Sequence, residues 1–291
     1  MIPKIIHYCW FGGNPLPDLA VICIDSWKKF FPDYEIKEWN ESNFDLNICD
    51  YVKEAYEAKK WAFVSDYARF WILYHEGGLY FDTDVEVIKS FDDILSKGGF
   101  MGQEAEIPSS TDQSTYTTKS KKFNISVNPG LGIGVAPGLG IGVAPGLQLY
   151  KEILDYYNTL HFMEDGVMNT TTICTHTTKI LKGYGYDESK DEIQEVAGIT
   201  IYPPEYFCPQ NSITGELKIT NNTHSIHYYT ASWYSKWERI IEKIMKCKNR
   251  SGIEYTIRKI ASLPFCVISK IDELGLKKTI KYTLGIIKKD S

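Results

Sequence analysis

Two aspartates lie two residues apart in this chain, and their type and spacing suit metal chemistry. Asp82 and Asp84 form the triplet DTD directly after the apolar run at residues 79–81. On an extended chain such residues point to the same face, so we expect both carboxylates on one side of a strand end. A divalent cation relieves the repulsion between two carboxylates held so close. Mg²⁺ and Mn²⁺ prefer oxygen ligands and keep coordination positions open for substrate phosphates, so the pair predicts such a site.

A predicted helix precedes the triplet and supplies a second pair of charged side chains. Apolar residues recur there at three- and four-residue steps, and two adjacent glycines end the pattern where a left-handed cap is expected. Ser65, Asp66 and Arg69 share one arc of about 100° on this helix. Alone, Asp66 and Arg69 would form an exposed salt bridge that contributes roughly a few tenths of a kcal/mol. Beside DTD, we interpret them as a carboxylate for sugar hydroxyls and a guanidinium for an anion.

The remaining elements alternate between strand and helix, which predicts an α/β fold with a largely parallel sheet. The first strand ends in the loop GGNPLP, and ligands of open α/β sheets bind beyond such strand ends. Glu104 either contacts the sugar or only ends its strand. The predicted strands are residues 4–9, 34–39, 79–81, 85–87, 100–104, 199–202 and 225–229, and the predicted helices, besides the one before DTD, are residues 20–30, 50–61, 92–97, 147–158, 169–181 and one from residue 234.

Composition narrows the class of protein. A chain of 291 residues with 43% hydrophobic and 24% charged residues predicts one large α/β domain, alone or with an appendage. We find neither a signal peptide nor a run of about 18 apolar residues. The seven cysteines are scattered without a CxxC pair, which is typical of reduced thiols. These features predict a cytoplasmic protein.

Charge is unevenly distributed along the chain. Residues 236–291 carry 14 Lys and Arg against 6 Asp and Glu, a net charge of +8, which leaves −13 for the rest of a chain whose total is −5. An acidic body argues against nucleic-acid binding. The basic tail, which we predict to be helical, either packs on the body or attaches to an anionic membrane surface. In the second case the protein works at the inner face of the cell membrane.

An eight-residue segment, PGLGIGVA, occurs twice in tandem at residues 129–136 and 137–144. Two copies of so short a unit are too few for a solenoid, so we interpret them as a duplicated strand and turn. The sequence leaves open whether the second copy lengthens a loop or a hairpin.

A second cluster of polar and aromatic residues follows at residues 225–237, SIHYYTASWYSKW. It predicts a strand that carries His227, then a turn and a helix. Backbone N–H groups and a hydroxyl at the start of a helix bind anions readily. The alternative is an aromatic core strand with a structural histidine.

Three segments together resemble the DxD sugar-transferase family, glycosyltransferase family 32. They are MIPKIIHYCWFGG, SDYARFWILYHEGGLYFDTDVEV and IHYYTASW, and they follow the family's order across residues 1–237. The resemblance implies a GT-A-like fold, in which a Rossmann-related mixed sheet is flanked by helices, and transfer with retention of anomeric configuration. We assign that catalytic domain to residues 1–245 and a basic helical extension to residues 250–291.

The resemblance also implies roles for individual residues. Asp84 and His227 would bind Mn²⁺ or Mg²⁺, with help from Asp82. Ser232 and Trp233 would hold the leaving diphosphate. The predicted catalytic residues are Asp66, Arg69, Asp82 and Asp84; the predicted donor-binding residues are His7, Trp10, Ser65, Asp66, Arg69, Tyr80, Asp82, Ser232 and Trp233; the predicted metal ligands are Asp82, Asp84 and His227.

The predicted function is transfer of a sugar from a nucleotide diphosphate sugar, with a UDP-sugar favoured, to a hydroxyl of a saccharide acceptor that is free or lipid-linked. The family's bacterial members act in capsular and surface polysaccharide synthesis. Two alternatives stay open: an aspartate-based sugar phosphohydrolase, for which Glu86 stands where Thr or Val is expected, and a non-catalytic sugar-binding module. Front-face attack and a covalent intermediate also both stay open.

Overall fold

A computed structural model describes residues 2–106, 124–128, 133–135, 146–164, 166–211, 215–230, 236–245 and 253–274. The chain divides into two compact units. The first comprises Met1–Asn211 with Leu217–Thr230, and the second comprises Ser212–Glu216 with Ala231–Ser291. The division follows Thr230, whereas the sequence-based assignment extends the catalytic domain to residue 245. That assignment stays a prediction.

Strands and helices alternate at the start of the first unit, as the sequence predicts, but further along the chain two or three strands follow one another. The described strands are β1 Ile5–Cys9, β2 Glu35–Trp39, β3 Gly78–Tyr80, β4 Val85–Val87, β5 Phe100–Glu106, β6 Asn124–Asn128, β7 Ile133–Val135, β8 Met163–Glu164, β9 Val167–Met168, β10 Gln194–Val196, β11 Ile199–Tyr202 and β12 Ser225–His227. The described helices are α1 Asp18–Phe30, α2 Asp50–Glu57, α3 Trp61–His75, α4 Asp92–Leu95, α5 Gln148–Tyr157, α6 Ile173–Gly183, α7 Pro204–Phe207, α8 Lys236–Met245 and α9 Ile253–Leu274.

An eight-stranded mixed sheet runs in the order β10-β11-β5-β7-β3-β1-β2, and β6 pairs with β5. β1 is parallel to β2 and β3, and β5 is parallel to β11, while β7 runs antiparallel between β3 and β5. β4 lies in a separate two-stranded sheet with β12. The mixed α/β fold class is therefore confirmed. β7 comes from the first copy of PGLGIGVA, and residues 136–145, which include the whole second copy, lie outside the described residues.

One predicted helix, residues 50–61, is wrong as a single element. α2 ends at Glu57 and α3 begins at Trp61, and between them Lys59 takes a left-handed φ of 58°. The end of α3 agrees with the prediction, because Gly77 and Gly78 both have positive φ. A Cβ on Gly78 would lie 2.6 Å from the carbonyl oxygen of Ile5, so the chain needs glycine where β3 enters the sheet.

The core beneath the DTD triplet is aromatic. Trp27 of α1 is fully buried and stacks on Phe81, with ring centroids 5.5 Å apart. Its indole N–H donates to the carbonyl of Val85 at 2.8 Å. Phe81 and Val85 flank the triplet, so α1 anchors the backbone on both sides of the two aspartates.

In the second unit, α8 packs against α9. Trp237 stacks on Phe265 at 6.2 Å between centroids, and Arg258 donates to the carbonyl of Ile244 at 3.0 Å. Residues 253–274 of the basic tail form one helix of 22 residues that contains Pro264. Across the described ranges, none of the helices reaches both the length and the apolarity that crossing a bilayer requires.

Candidate functional site

Arg69 joins three acceptors around the DTD triplet. Its Nη2 lies 3.2 Å from Asp66 Oδ1, its Nη1 lies 3.2 Å from Asp82 Oδ2, and its Nε donates to the carbonyl of Ser65 at 3.1 Å. The side chain is only 4% exposed. The alternative of an exposed surface salt bridge is therefore wrong. We call these residues, with Tyr80, the Arg69 cluster.

Tyr80 packs its ring against the Arg69 guanidinium and is the last member of the Arg69 cluster. The guanidinium carbon of Arg69 lies 4.8 Å from the centre of the Tyr80 ring, and the Tyr80 hydroxyl donates to Asp82 Oδ1 at 3.1 Å. Tyr80 is 1% exposed. Its hydroxyl is committed to Asp82, so Tyr80 orients the carboxylate and does not face solvent.

Asp66 is buried beside the guanidinium of Arg69, and this environment affects its protonation. Burial raises the pKa of Asp66 to about 7, although the charge of Arg69 opposes the shift, and the carboxylate of Asp82 adds to it. Near neutral pH, Asp66 can therefore both donate and accept a hydrogen bond. Either state could bind a hydroxyl group of a sugar.

The DTD triplet lies in a turn between β3 and β4. The N–H of Val85 donates to the carbonyl of Asp82 at 3.1 Å, which closes the turn. The triplet is therefore a turn and not the extended chain that the sequence predicts. Asp82 contacts the Arg69 cluster, whereas Asp84 contacts residues near position 230.

Asp84 binds His227 and Thr230, which we call the Asp84 cluster. Its Oδ1 lies 3.4 Å from His227 Nε2, and its Oδ2 accepts from the Thr230 N–H at 2.9 Å and from the Thr230 hydroxyl at 2.8 Å. The pairing of β12 with β4 sets His227 opposite Val85, beside the triplet. The N–H of Tyr228 donates to the carbonyl of Asp84 at 3.0 Å and extends this contact.

Asp84 and His227 stabilise each other's charged forms. Burial would raise the pKa of Asp84, but His227 and the two donors of Thr230 hold it well below its usual range. Burial would lower the pKa of His227, but the carboxylate of Asp84 raises it well above its usual value. The two side chains therefore form a buried ion pair in which His227 carries the proton.

The geometry of this pair fits a divalent cation in place of the proton. Neighbouring ligands of an octahedral cation, at about 2.1 Å from it, lie about 3 Å apart, close to the separation of Asp84 Oδ1 and His227 Nε2. Asp82 is bound by Arg69 and Tyr80. Within the part of the chain that the structure describes, the three side chains whose ligand atoms lie within 4.8 Å of one another are Glu104, Cys208 and His227, and not the predicted metal ligands Asp82, Asp84 and His227.

His7 and Trp10, the predicted contacts to the base, have different environments. His7 is fully buried; it accepts from Trp39 Nε1 at 3.1 Å, and its Nε2 contacts the carbonyl of Gly77 at 3.0 Å. Burial lowers the pKa of His7 to about 4, so the ring is neutral and structural. His7 is therefore not available for the contact with the donor that the sequence analysis predicts. Trp10 is half-buried, and its indole N–H donates to the carbonyl of Asn14 at 2.6 Å, which fixes the ring at the end of β1.

The remaining predicted donor-binding residues are Ser65, Ser232 and Trp233. Ser65 is half-buried; its hydroxyl donates to the carbonyl of Trp61 at 3.0 Å, and its own carbonyl holds Arg69. Ser232 and Trp233 lie outside the described residues. Glu104 does not end its strand, since β5 continues to Glu106.

Sequence reasoning missed the role of Thr230. The residue appears only as the start of a turn, yet it supplies two donors to Asp84 from 146 positions away. A strand pairing over that distance leaves no periodic signal, so only the resemblance to a family could have suggested the contact.

Comparison with known proteins supports the resemblance. Residues 17–101 match the family described as a glycosyltransferase sugar-binding region containing a DXD motif. Over 111 residues the chain is 32% identical to inositol phosphoceramide mannosyltransferase 1 of Schizosaccharomyces pombe. That alignment covers 34% of this chain and 33% of the relative. Inositol phosphoceramide mannosyltransferase 3 of the same organism is 30% identical over 102 residues. That alignment covers 32% of this chain and 27% of the relative. The predicted resemblance is confirmed over the matched region.

The relatives extend well beyond the matched segments, since the alignments span about a third or less of each. Among solved structures, the PaToxG glycosyltransferase is 17% identical and covers 62% of this chain and 69% of its own, with a TM-score of 0.39.

Proposed function

This chain carries a glycosyltransferase sugar-binding region with a DXD motif over residues 17–101, and from that premise we propose that it transfers a sugar from a nucleotide diphosphate sugar to a hydroxyl group. The observation that carries the proposal is the contact of Asp84 Oδ1 with His227 Nε2 at 3.4 Å. It sets a carboxylate and an imidazole beside each other, and both are ligands that Mn²⁺ accepts.

Asp84 and His227 would hold Mn²⁺ or Mg²⁺, and such a cation, when bound, neutralises the charge that develops on a leaving diphosphate. Thr230 keeps the Asp84 carboxylate in place through Oδ2, which leaves Oδ1 for the cation. His227 must give up its Nε2 proton first, because only the neutral ring is a ligand.

Asp66 and Asp82 would bind the hydroxyl groups of the donor sugar and ribose. Asp82 has a side chain that is 29% exposed, so it is the more accessible of the two. Arg69 is only 4% exposed, which favours a role in positioning both carboxylates over the direct contact with the diphosphate that the sequence predicts. The remaining donor contacts would come from Ser65, Trp10, Ser232 and Trp233.

The donor and the acceptor belong to this proposal as well. A UDP-sugar is favoured by the family resemblance, and the names of the two relatives add a nucleotide-activated mannose to the candidates. Those relatives are named for transfer to a phosphoceramide lipid, which agrees with a lipid-linked saccharide acceptor here. We further propose retention of configuration and a role in surface or capsular polysaccharide synthesis.

A thermal-shift screen of nucleotide diphosphates with and without Mn²⁺ tests the proposal, because a ligand that binds only the folded state raises the midpoint of unfolding. UDP with Mn²⁺ should raise it, and Asp84→Asn should abolish the rise. Asp25→Asn changes an exposed aspartate on α1 and should leave it intact. The absence of a shift with any nucleotide diphosphate would refute a nucleotide-sugar donor. Release of phosphate from a sugar phosphate would favour the phosphohydrolase instead.

The second unit would attach the enzyme to an anionic membrane surface from the cytoplasmic side. Apolar side chains that are at least half exposed line α9, and residues 236–291 have a net charge of +8, which complements anionic lipid. The exposed apolar residues are Ile253, Ile257, Ile260, Leu263 and Val267.

Sedimentation with vesicles tests this attachment. The protein should sediment with anionic vesicles and not with neutral ones. Two variants should stay in solution: the double substitution Ile257→Glu and Ile260→Glu, and the deletion of residues 250–291. Unchanged sedimentation of both variants would contradict the attachment.

A further inference from the structure

Two further potential metal ligands, Glu104 and Cys208, lie beside His227. Glu104 comes from β5, Cys208 follows α7 directly, and His227 ends β12. One ligand atom from each lies within 4.8 Å of the other two. Cys208 and His227 are buried and Glu104 is half-buried. Three separate elements thus bring a thiol, an imidazole and a carboxyl group to one point.

Among the residues that the structure describes, the Nδ1 atom of His227 makes no hydrogen bond of ordinary geometry, although the residue is only 9% exposed and the Cys208 thiol interacts with the ring. A buried ring nitrogen without such a hydrogen bond is unusual and calls for an explanation. The other ring nitrogen, Nε2, faces Asp84 Oδ1 at 3.4 Å. Histidines that bind a metal through one nitrogen commonly donate the other N–H to a carboxylate. His227 therefore has the orientation of a metal ligand whose coordinating atom is Nδ1.

Burial raises the pKa of the Cys208 thiol, so its thiolate would form when a cation binds, and the neighbouring residues are placed to orient it. The Tyr229 hydroxyl lies 2.8 Å from Cys208 Sγ, and the Tyr229 ring lies 4.3 Å from the His227 ring between centroids. A hydroxyl at that distance can donate to a thiolate and orient it. Cys174 Sγ donates to Glu104 Oε1 at 3.2 Å, which orients the carboxylate in the same way. Both contacts are of the kind that holds metal ligands in place.

We propose that Glu104, Cys208 and His227 bind a thiophilic divalent cation such as Zn²⁺. A thiolate, a carboxylate and a neutral imidazole carry a total charge of −2, which such a cation balances. Zn²⁺ accepts all three ligand types, whereas Mg²⁺ and Mn²⁺ have little preference for sulfur. On binding, a metal–sulfur bond replaces the S–H bond of Cys208, and a metal–nitrogen bond replaces the N–H bond at Nδ1 of the protonated His227. Both protons pass to solvent, with no change of oxidation state.

This site competes with the cation proposed for Asp84 because both need His227. When Nδ1 binds Zn²⁺, the neutral ring keeps its proton on Nε2 and donates it to Asp84. When Nε2 binds Mn²⁺, that proton is absent. Only this competition rests on the proposed function; the Zn²⁺ site itself does not.

Titration of the whole chain with Co²⁺, a spectroscopic substitute for Zn²⁺, tests the proposal. A thiolate bound to Co²⁺ gives a charge-transfer band in the near ultraviolet, which Zn²⁺ should remove at one equivalent. We expect Cys208→Ser to abolish the band and Glu104→Gln to weaken binding at least tenfold. Cys49→Ser changes a half-buried free thiol just before α2, which is not one of the three ligands, and should leave the band unchanged.

Asp84→Asn separates the two cation sites. It should weaken Co²⁺ binding about 10- to 100-fold without abolishing the band, because Asp84 only orients His227 for this site. The same variant should abolish the response to UDP with Mn²⁺. The wild-type chain giving no band, or Cys208→Ser keeping it, would overturn the Zn²⁺ site whatever the nucleotide screen shows. Near-ultraviolet circular dichroism of each variant verifies that it is folded.

Discussion

The two aspartates of DTD are two residues apart, yet they belong to two clusters that differ in how far apart their members lie in the sequence and in the charge that balances the carboxylate. The Arg69 cluster is local, since its members lie between Ser65 and Asp82, and its central cation is a side chain only 4% exposed. The Asp84 cluster joins β4 to the segment after β12, across 146 positions, and includes the exposed Thr230. One carboxylate is held by a permanent protein cation and the other by a proton on His227. The same spacing therefore gives Asp82 a fixed partner and Asp84 an exchangeable one.

Replacing the permanent cation should have the largest effect. Arg69→Leu leaves two carboxylates without their partner, so we expect the free energy of unfolding to fall by about 3 kcal/mol in urea titrations. Lys28→Leu is the matched control, because Lys28 pairs with Asp25 at the same i,i+3 spacing but both side chains are more than 60% exposed. It should cost less than about 1 kcal/mol. Equal losses in the two variants would mean that burial of the Arg69 cluster has no energetic consequence.

The burial of Asp66 should also make stability depend on pH. The pKa of Asp66 is about 7 in the folded chain and about 3.9 in the unfolded chain, so the folded state binds more protons between these values. The stability of the wild type should therefore fall as pH rises through this range. Asp66→Asn lacks this contribution. Between about pH 5 and pH 7.5, the wild type should lose about 2 kcal/mol of unfolding free energy relative to the variant. A difference that stays constant with pH, measured in urea, would contradict the raised pKa.

Trimming the Asp84 cluster should have the smallest effect. Thr230→Val removes the hydroxyl that donates to Asp84 Oδ2 at 2.8 Å but keeps the backbone N–H. We expect a loss of about 1 kcal/mol in unfolding free energy. Thr230→Ser keeps the hydroxyl and should lose less. If Thr230→Val cost as much as Arg69→Leu, the Asp84 cluster would not be the weaker of the two.

Local patterns predicted the elements around the site well. The periodicity of α3 and the two glycines after it reflect constraints within a few residues of each position, and the structure agrees with both. The break at Lys59 was missed, because a left-handed lysine has no signal in the sequence. The different partners of Asp82 and Asp84 were missed for a related reason: the turn that closes between Asp82 and Val85 looks like an extended strand in a pattern of apolar residues.

Long-range contacts could not be predicted from local patterns. The pairing of β12 with β4 depends on the packing of the whole first unit. The burial of His7 likewise follows from neighbours on β2 and from the chain after α3. Cys208 was interpreted only as one of seven scattered thiols, because nothing near it in the sequence indicates Glu104 or His227 as neighbours. Family resemblance identified His227 where periodicity could not.

Titration of Mn²⁺ in the presence of saturating UDP, followed by the electron paramagnetic resonance of the free ion, tests the central claim that the two aspartates have different partners. Asp84→Asn should abolish Mn²⁺ binding, because it removes a ligand that no neighbour replaces. Asp82→Asn should weaken it less than about tenfold, about 1.4 kcal/mol, because Asp82 is held by Arg69. Loss of binding in Asp82→Asn with full binding in Asp84→Asn would contradict the account.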